Sequence, residues 1–486
     1  MNYVGPARPI HDAKGKATGY SKYAGDISLS NMAYLCMLHS KIPHGYVKAV
    51  HAEKALALPG VYGVYHCLNT SERKYNRYRS SFDQAYLANE ERAFNQYVRF
   101  VGDKIGAVAA CDQETAEKAA RLVEVEYEEL SFSIGFDDTL AGKNCLDGET
   151  PVRDEYELDV GEKQGSAEGL IEVCSTMELP RLHHATMETH ACIADYDPYS
   201  DMLTVYCPNQ AVHGIRTVLA DFLEMPESHV RVVKATMGGS FGAKQEWFLE
   251  PVTALVAKKL CRPVKLVYSR GEAMTDTIVR GAMRMSARGY YTPDGEMKEI
   301  YCDVTLDAGA YIGNAGDYVR ALAGKPTRCY RIPYMHYHGQ VISSNSPVSG
   351  AFRSWSAAEE ALMMERQLDA AAEKLGMDRL AIRLKNVARS GEEDKKLHLS
   401  LEDIRIGDAI TLGSEKFGWD KLKAEDAAFN ASQQRYRRGV GIGIGGHGNT
   451  YFPRFNDYGE GSISLNADGS MQANFTLHDH GCGTVT

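Results

Sequence analysis

The sequence predicts an α+β protein laid out as three successive regions, residues 1–155, 156–400 and 401–486. Three observations lead there. A length of 486 residues suits about three domains of roughly 150 residues each. Strand and helix patterns interleave with no internal repeat and no low-complexity tract. The apolar fraction of 44% and charged fraction of 24% are ordinary for a globular chain, which excludes a disordered protein, a collagen-like repeat and a coiled-coil rod.

In the first region the spacing predicts a helix from about Gln113 to Leu122, with Ala116, Ala119 and Ala120 on its apolar face. The alternation Val123-Glu-Val-Glu-Tyr127 then reads as a strand. A Gly- and Asp-rich stretch from Ser133 to Gly165 has weak periodicity and places a boundary near 155. In the second region Ala211–Met225 is an amphipathic helix, with Val212, Ile215, Leu219 and Phe222 on one face. A strand over Val230–Ala235 runs into the glycine turn Gly238-Gly-Ser-Phe-Gly242, and a helix is expected from about Lys244 to Leu260, with Pro251 kinking it or lying in its first turns. A long helix spans Ala357 to Leu375. Ser356-Ala-Ala-Glu359 has the capping-box pattern at its start, and Gly376 suits its C′ position. In the third region Ser462–Leu465, the turn Asn466-Ala-Asp-Gly469 and Met471–Leu477 form a β-hairpin.

Charge and cysteine usage narrow the function. With 64 acidic and 54 basic residues the net charge is −10, which repels phosphate backbones and disfavours broad nucleic-acid binding. The Lys395–Lys396 and Arg435–Arg438 runs read as solvated faces. No apolar run nears the ~20 residues needed to cross a bilayer. The N-terminus lacks the apolar core of a signal peptide, so a cytoplasmic location is expected. The 11 cysteines are dispersed, with no C-x2-C pair for zinc or a local iron–sulfur site. Any cluster relay is therefore expected on another chain.

Thr236-Met-Gly-Gly-Ser-Phe-Gly-Ala-Lys244 is the most informative segment. Its glycines allow close backbone approach, and its amides, with a following helix N-terminus, make an anion site. Gly238-x-Ser240-x-Gly242 also fits the nucleophile elbow of a serine hydrolase, in the strand–turn–helix context the elbow needs. A turn that serves packing alone is the third reading, and the short pattern does not decide among them. Gly441-x-Gly443-x-x-Gly446 fits a dinucleotide fingerprint, but His447-Gly-Asn-Thr-Tyr-Phe-Pro453 cannot begin the helix that fingerprint requires. His183, His184, Glu188 and His190 lack H-E-x-x-H spacing, so pocket lining or satisfied buried histidines fit better than zinc. A solvated loop fits His478-Asp-His480 best.

Taken together, and in order, these segments resemble the molybdenum-binding large subunit of the xanthine dehydrogenase and aldehyde oxidase family. Gly15-Lys-Ala-Thr-Gly-Tyr-Ser-Lys-Tyr-Ala-Gly25, Ala55-Leu-Ala-Leu-Pro-Gly-Val61 and Arg121–Leu130 resemble its α/β hammerhead domain. Met187-Glu-Thr-His190, Gln210-x-x-His213-x-x-Arg216, Met237–Lys244 and Ser346-Pro-Val-Ser-Gly-Ala-Phe-Arg353 resemble motifs of the first molybdopterin-binding domain, and the last region resembles the start of a second. The resemblance implies oxidative hydroxylation of a purine or related N-heterocycle, with a serine hydrolase or a degenerate structural subunit as alternatives.

By the same resemblance, Gly239, Phe241, Gly242, Ala351, Phe352, Arg353, Gln210, Gly481 and Gly483 would contact the cofactor. It would be molybdenum–molybdopterin in its cytosine dinucleotide form, the metal being held through the pterin rather than by side chains. Arg320 matches the substrate-orienting arginine of xanthine enzymes, and Gln245 stands where they often carry a glutamate. There are departures. Ser240 replaces a loop glycine, Ser354-Trp355 replaces a glycine and an aromatic, and Cys482 replaces the glutamine of a G-Q-G loop. The family's general-base glutamate lies downstream of the last residue given, so the likeness covers about the first two-thirds of a complete subunit. Either a second chain completes the site or the sequence is truncated, and the chain alone is expected to be inactive. Iron–sulfur (2Fe-2S) and FAD subunits are the implied partners.

Overall fold

The computed structural model describes residues 5, 8–78, 89–146, 148, 150–163, 165, 168–432, 435–447, 459–477, 479–481 and 483–484. Two large sheets organise it. A seven-stranded sheet runs in the order Val230–Lys234, Met202–Cys207, Ala191–Asp197, Val264–Val267, Ala33–His39, Lys104–Ala110 and Val61–His66. Its joint is the parallel pairing of Ala33–Leu35 with Val264–Leu266, so strands from before and after residue 155 belong to one sheet. The Lys104–Ala110 strand is buried along its whole length. It has a neighbour on each edge, and the Gln113–Ala120 helix packs on it, so small alanines fill a space closed on several sides.

The second sheet has five strands, ordered Ile171–Leu179, Ala282–Tyr291, Met297–Asp307, Tyr334–Ile342 and Val152–Gly161. The Ala357–Leu375 helix packs on its first two strands, burying Met363, Met364, Leu368 and Ala371. Each sheet has its own apolar core. Among the described residues no disulfide forms, and no helix is long and apolar enough to cross a membrane.

Two local expectations are corrected. The helix after the glycine turn begins at Glu250, not near Lys244, and Pro251 occupies its first turn. Proline has no N–H to lose at that position, which suits a helix start, and residues 241–249 are turns instead. The Ala357–Leu375 helix has the expected bounds and ends on left-handed Gly376, but no capping box forms. Ser356 is left-handed (φ 67°), its Oγ accepts from Lys325 Nζ at 2.6 Å, and Glu359 pairs with Arg280 instead. The hairpin forms over Gly461–Leu465 and Met471–Phe475. Gly441–Gly446 is irregular, with no helix.

Candidate functional site

The glycine loop is anchored from beneath by an acid of the histidine segment. Glu188 Oε2 accepts from the Gly238 amide at 2.7 Å and from Lys244 Nζ at 2.5 Å. Lys244 is 1% exposed, and burial pulls its pKa below the ordinary lysine value while Glu188 pulls it back up. A Cβ on Gly238 would lie 2.4 Å from Glu188 Cβ, so only glycine lets the loop close onto that acid. Above this anchor Gly239 (φ 94°), Phe241 (55°) and Gly242 (101°) take positive φ around Ser240. Among the described residues the amides of positions 239–242 donate no hydrogen bond. Consecutive unpaired amides on a turn of alternating hand form a concave anion site. This is the observation that fits a phosphorylated pterin. The anion site comes from the loop alone, because the helix expected to start at Lys244 begins six residues later.

A second loop abuts the first. A Cβ on Gly242 would lie 2.5 Å from the Ala351 carbonyl oxygen, so glycine is what allows the contact. Histidines hold both loops. His184 Nε2 donates to Ala351 O at 2.8 Å, and His190 Nε2 donates to Ala243 O at 3.0 Å. Burial lowers the two rings to about 4 and about 3 respectively, so each is neutral. The Phe352 ring lies between His184, at 4.3 Å, and the Arg280 guanidinium, at 4.2 Å. Arg280 also donates to Arg353 O at 2.9 Å and pairs with buried Glu359 at 2.8 Å. The histidine segment thus stitches loops, and no group able to hold a metal ion occurs among the described residues.

The other expected site residues fall as follows. Gln210 ties the glycine loop to the last segment, its Oε1 accepting from Ser240 Oγ at 2.5 Å and its Nε2 lying 3.2 Å from His480 Nδ1. Gly481 and Gly483 turn their amides onto Asp479 Oδ1, at 2.5 and 3.2 Å. Arg353 is exposed, and Gln245 is half-buried, its side chain making no hydrogen bond among the described residues. His478 and Cys482 lie outside the described residues. Arg320 is bound within its own chain. Both its terminal nitrogens bind Asp154, and its guanidinium lies 5.3 Å from the Tyr156 ring. A carboxylate of its own chain thus occupies the cation, fixing the Ala315–Leu322 helix to the Val152–Gly161 strand.

The hydrolase alternative is also corrected. Ser240 is 3% exposed and donates to an amide oxygen, and among the described residues no histidine bonds its hydroxyl to activate it. Arg280 and Glu246 were not singled out in the sequence, and Glu359 only as a helix cap. Arg280 sits in Ile278-Val-Arg280 with no local motif, and its partners lie about 70 to 80 residues away.

Cradle, abutting loops and shared sheet fit the molybdopterin-binding class of proteins. Three family models match in order: the aldehyde oxidase and xanthine dehydrogenase a/b hammerhead domain over residues 18–131, and molybdopterin cofactor-binding domains over 152–387 and 412–486. The chain belongs to the xanthine dehydrogenase and aldehyde oxidase family. It is 29% identical over 499 residues to the xanthine dehydrogenase molybdenum-binding subunit of Escherichia coli O157:H7, covering 98% of this chain and 63% of that one. It is 29% identical to the nicotinate dehydrogenase large molybdopterin subunit of Eubacterium barkeri, covering 78% of this chain and 88% of that one. The aldehyde oxidoreductase structure from Desulfovibrio gigas matches with a TM-score of 0.87 and 25% identity, over 98% of this chain and 52% of that one. The chain therefore spans less than two-thirds of the xanthine dehydrogenase subunit it matches.

Proposed function

We propose that the chain is the molybdopterin-binding part of a molybdenum hydroxylase that oxidises a purine or related N-heterocycle, using oxygen from water. The observation that carries this reading is the four-amide cradle of residues 239–242 closed against Ala351. The cofactor, when bound, supplies the two-electron redox chemistry; the chain supplies binding and orientation. The amides take anionic oxygens, and Phe352, clamped between His184 and Arg280, gives a fixed apolar wall. Gln245 offers a donor and an acceptor to the polar edge of a ring. With Arg320 committed to Asp154, orientation of the heterocycle passes to Gln245. The N-heterocycle preference draws on that free amide and on the likeness to xanthine and nicotinate dehydrogenase subunits.

Electrons would leave through 2Fe-2S and FAD subunits, since the described cysteines are scattered and unpaired. A further molybdopterin-binding chain or segment would supply the general base, and the cytosine dinucleotide is the form of cofactor we favour. The test is co-expression with the partner subunits, elemental analysis for molybdenum, and kcat/KM for a purine, nicotinate and benzaldehyde on wild type and Gln245→Leu. About one molybdenum per complex is expected, with a heterocycle as best substrate and slowed by the substitution. A complex without molybdenum overturns the whole reading. Benzaldehyde as best substrate, with all three rates unchanged in Gln245→Leu, overturns the heterocycle assignment alone.

A further inference from the structure

Directly behind the two loops lies a carboxyl that nothing in the proposed reaction uses. Glu246 is 1% exposed. Its side chain is wedged between two glycines: a Cβ on Gly350 would lie 2.5 Å from Oε1, and a Cβ on Gly313 would lie 3.8 Å from Oε2. Neither oxygen makes a complete hydrogen bond, and the Ala351 amide gives only weak support. The cation that faces it, Arg77, gives two of its three nitrogens to Glu91, Nε to Oε1 at 2.5 Å and Nη2 to Oε2 at 2.6 Å, and its Nη1 makes no hydrogen bond. Among the described residues the remaining charged neighbours bring no cation to it. Lys244 is bound to Glu188, and Glu250 approaches through Asn209, whose Nδ2 donates to the Glu246 backbone carbonyl at 2.8 Å.

A carboxylate ion in such a place would have to share the Arg77 charge with Glu91, and buried charges without a full counter-charge are strongly disfavoured. A neutral acid is compatible with it. The Ala351 residue above is held on its other side by His184, and its carbonyl fills the space that a Gly242 side chain would need. We propose that Glu246 is a positioning residue that works as a neutral acid, setting where the Gly350–Ala351 peptide lies against the glycine loop and loosening it on losing its proton. Burial, seconded by the charge on Glu91, raises its pKa to about 8, against the pull of Arg77 and the Ala351 amide. The catalytic consequence rests on the function proposed above; the protonation state does not.

The experiment compares the full chain, and its molybdenum-loaded complex, with Glu246→Gln, which keeps shape and removes the proton. In infrared difference spectra of the chain alone, wild type should show a protonated-carboxyl band that disappears with a midpoint near pH 8, absent from the variant. The folded chain keeps a proton that the unfolded chain gives up above pH 4.5, so wild-type stability should fall between pH 4.5 and 8 more steeply than that of the variant. In the complex, wild-type kcat/KM should drop about tenfold per pH unit above that midpoint. Glu246→Gln should flatten that limb at unchanged molybdenum content. Absence of a band removed by Glu246→Gln, or an unchanged stability slope, overturns the neutral acid. An unchanged basic limb overturns its positioning role. A complex lacking molybdenum defeats the functional reading while the infrared and stability results still decide the protonation.

Discussion

His184 and His190 bind the site together through one ring proton each, and both rings are buried. Their depressed values fix a direction. The folded state resists protonation, so their contribution is complete above pH 6.5 and is lost as pH falls toward about 4 for His184 and about 3 for His190. Denaturant titrations from pH 7 to 4 should show a stability loss on the order of 3 kcal/mol from His184. His184→Gln, which keeps a donor, should blunt that loss, and an unchanged slope would contradict it. Ser240 offers a second check. Its hydroxyl serves Gln210, so a fluorophosphonate probe should not label it, and Ser240→Gly should be tolerated. Glycines were the legible residues, since each reports a backbone need that a Cβ would violate. The Arg320–Asp154 pair was not legible, because its partners stand 166 positions apart and nothing in either segment names the other.

At the scale of single elements, helices with a clear apolar period were readable to within a few residues, as over Val212–Leu223 and Ala357–Leu375. Starts were harder to read than stops. Pro251 and Glu250, not the glycine turn, begin the following helix, and a capping-box pattern at Ser356 was overridden by tertiary partners. That override leaves a cost. Ser354, Trp355 and Ser356 take φ of 79°, 27° and 67° in succession, a hand that disfavours side chains. Ser354→Gly should therefore stabilise the chain by about 1 kcal/mol, read as a higher urea midpoint at unchanged m-value. The anchor under the glycine loop should act in the opposite sense. Lys244→Met strips the half-buried Glu188 of its cation and should cost about 2–3 kcal/mol, below the figure for a fully buried pair. A loss below about 1 kcal/mol would mean that water or another donor takes over.

Across the whole molecule, the two-sheet plan was less readable than its parts. The strands were visible as strands, but the pairing of Ala33–Leu35 with Val264–Leu266 joins segments some 230 residues apart, and β-pairing leaves no local mark of its partner. That pairing also governs how the protein can be taken apart. A fragment ending at the exposed turn residue Gly142 would carry Ala33–His39 with one row of backbone groups uncovered, and the remainder would expose Val264–Val267 in the same way. Open edges of this kind invite association with other chains. Each piece made alone should aggregate, whereas the two made together should reassemble into soluble material. Amides on either side of the junction should exchange with deuterium at a common slow rate, as one cooperative unit. A soluble, protected N-terminal fragment would show instead that the hammerhead is an autonomous folding unit, merely leaning on its neighbour.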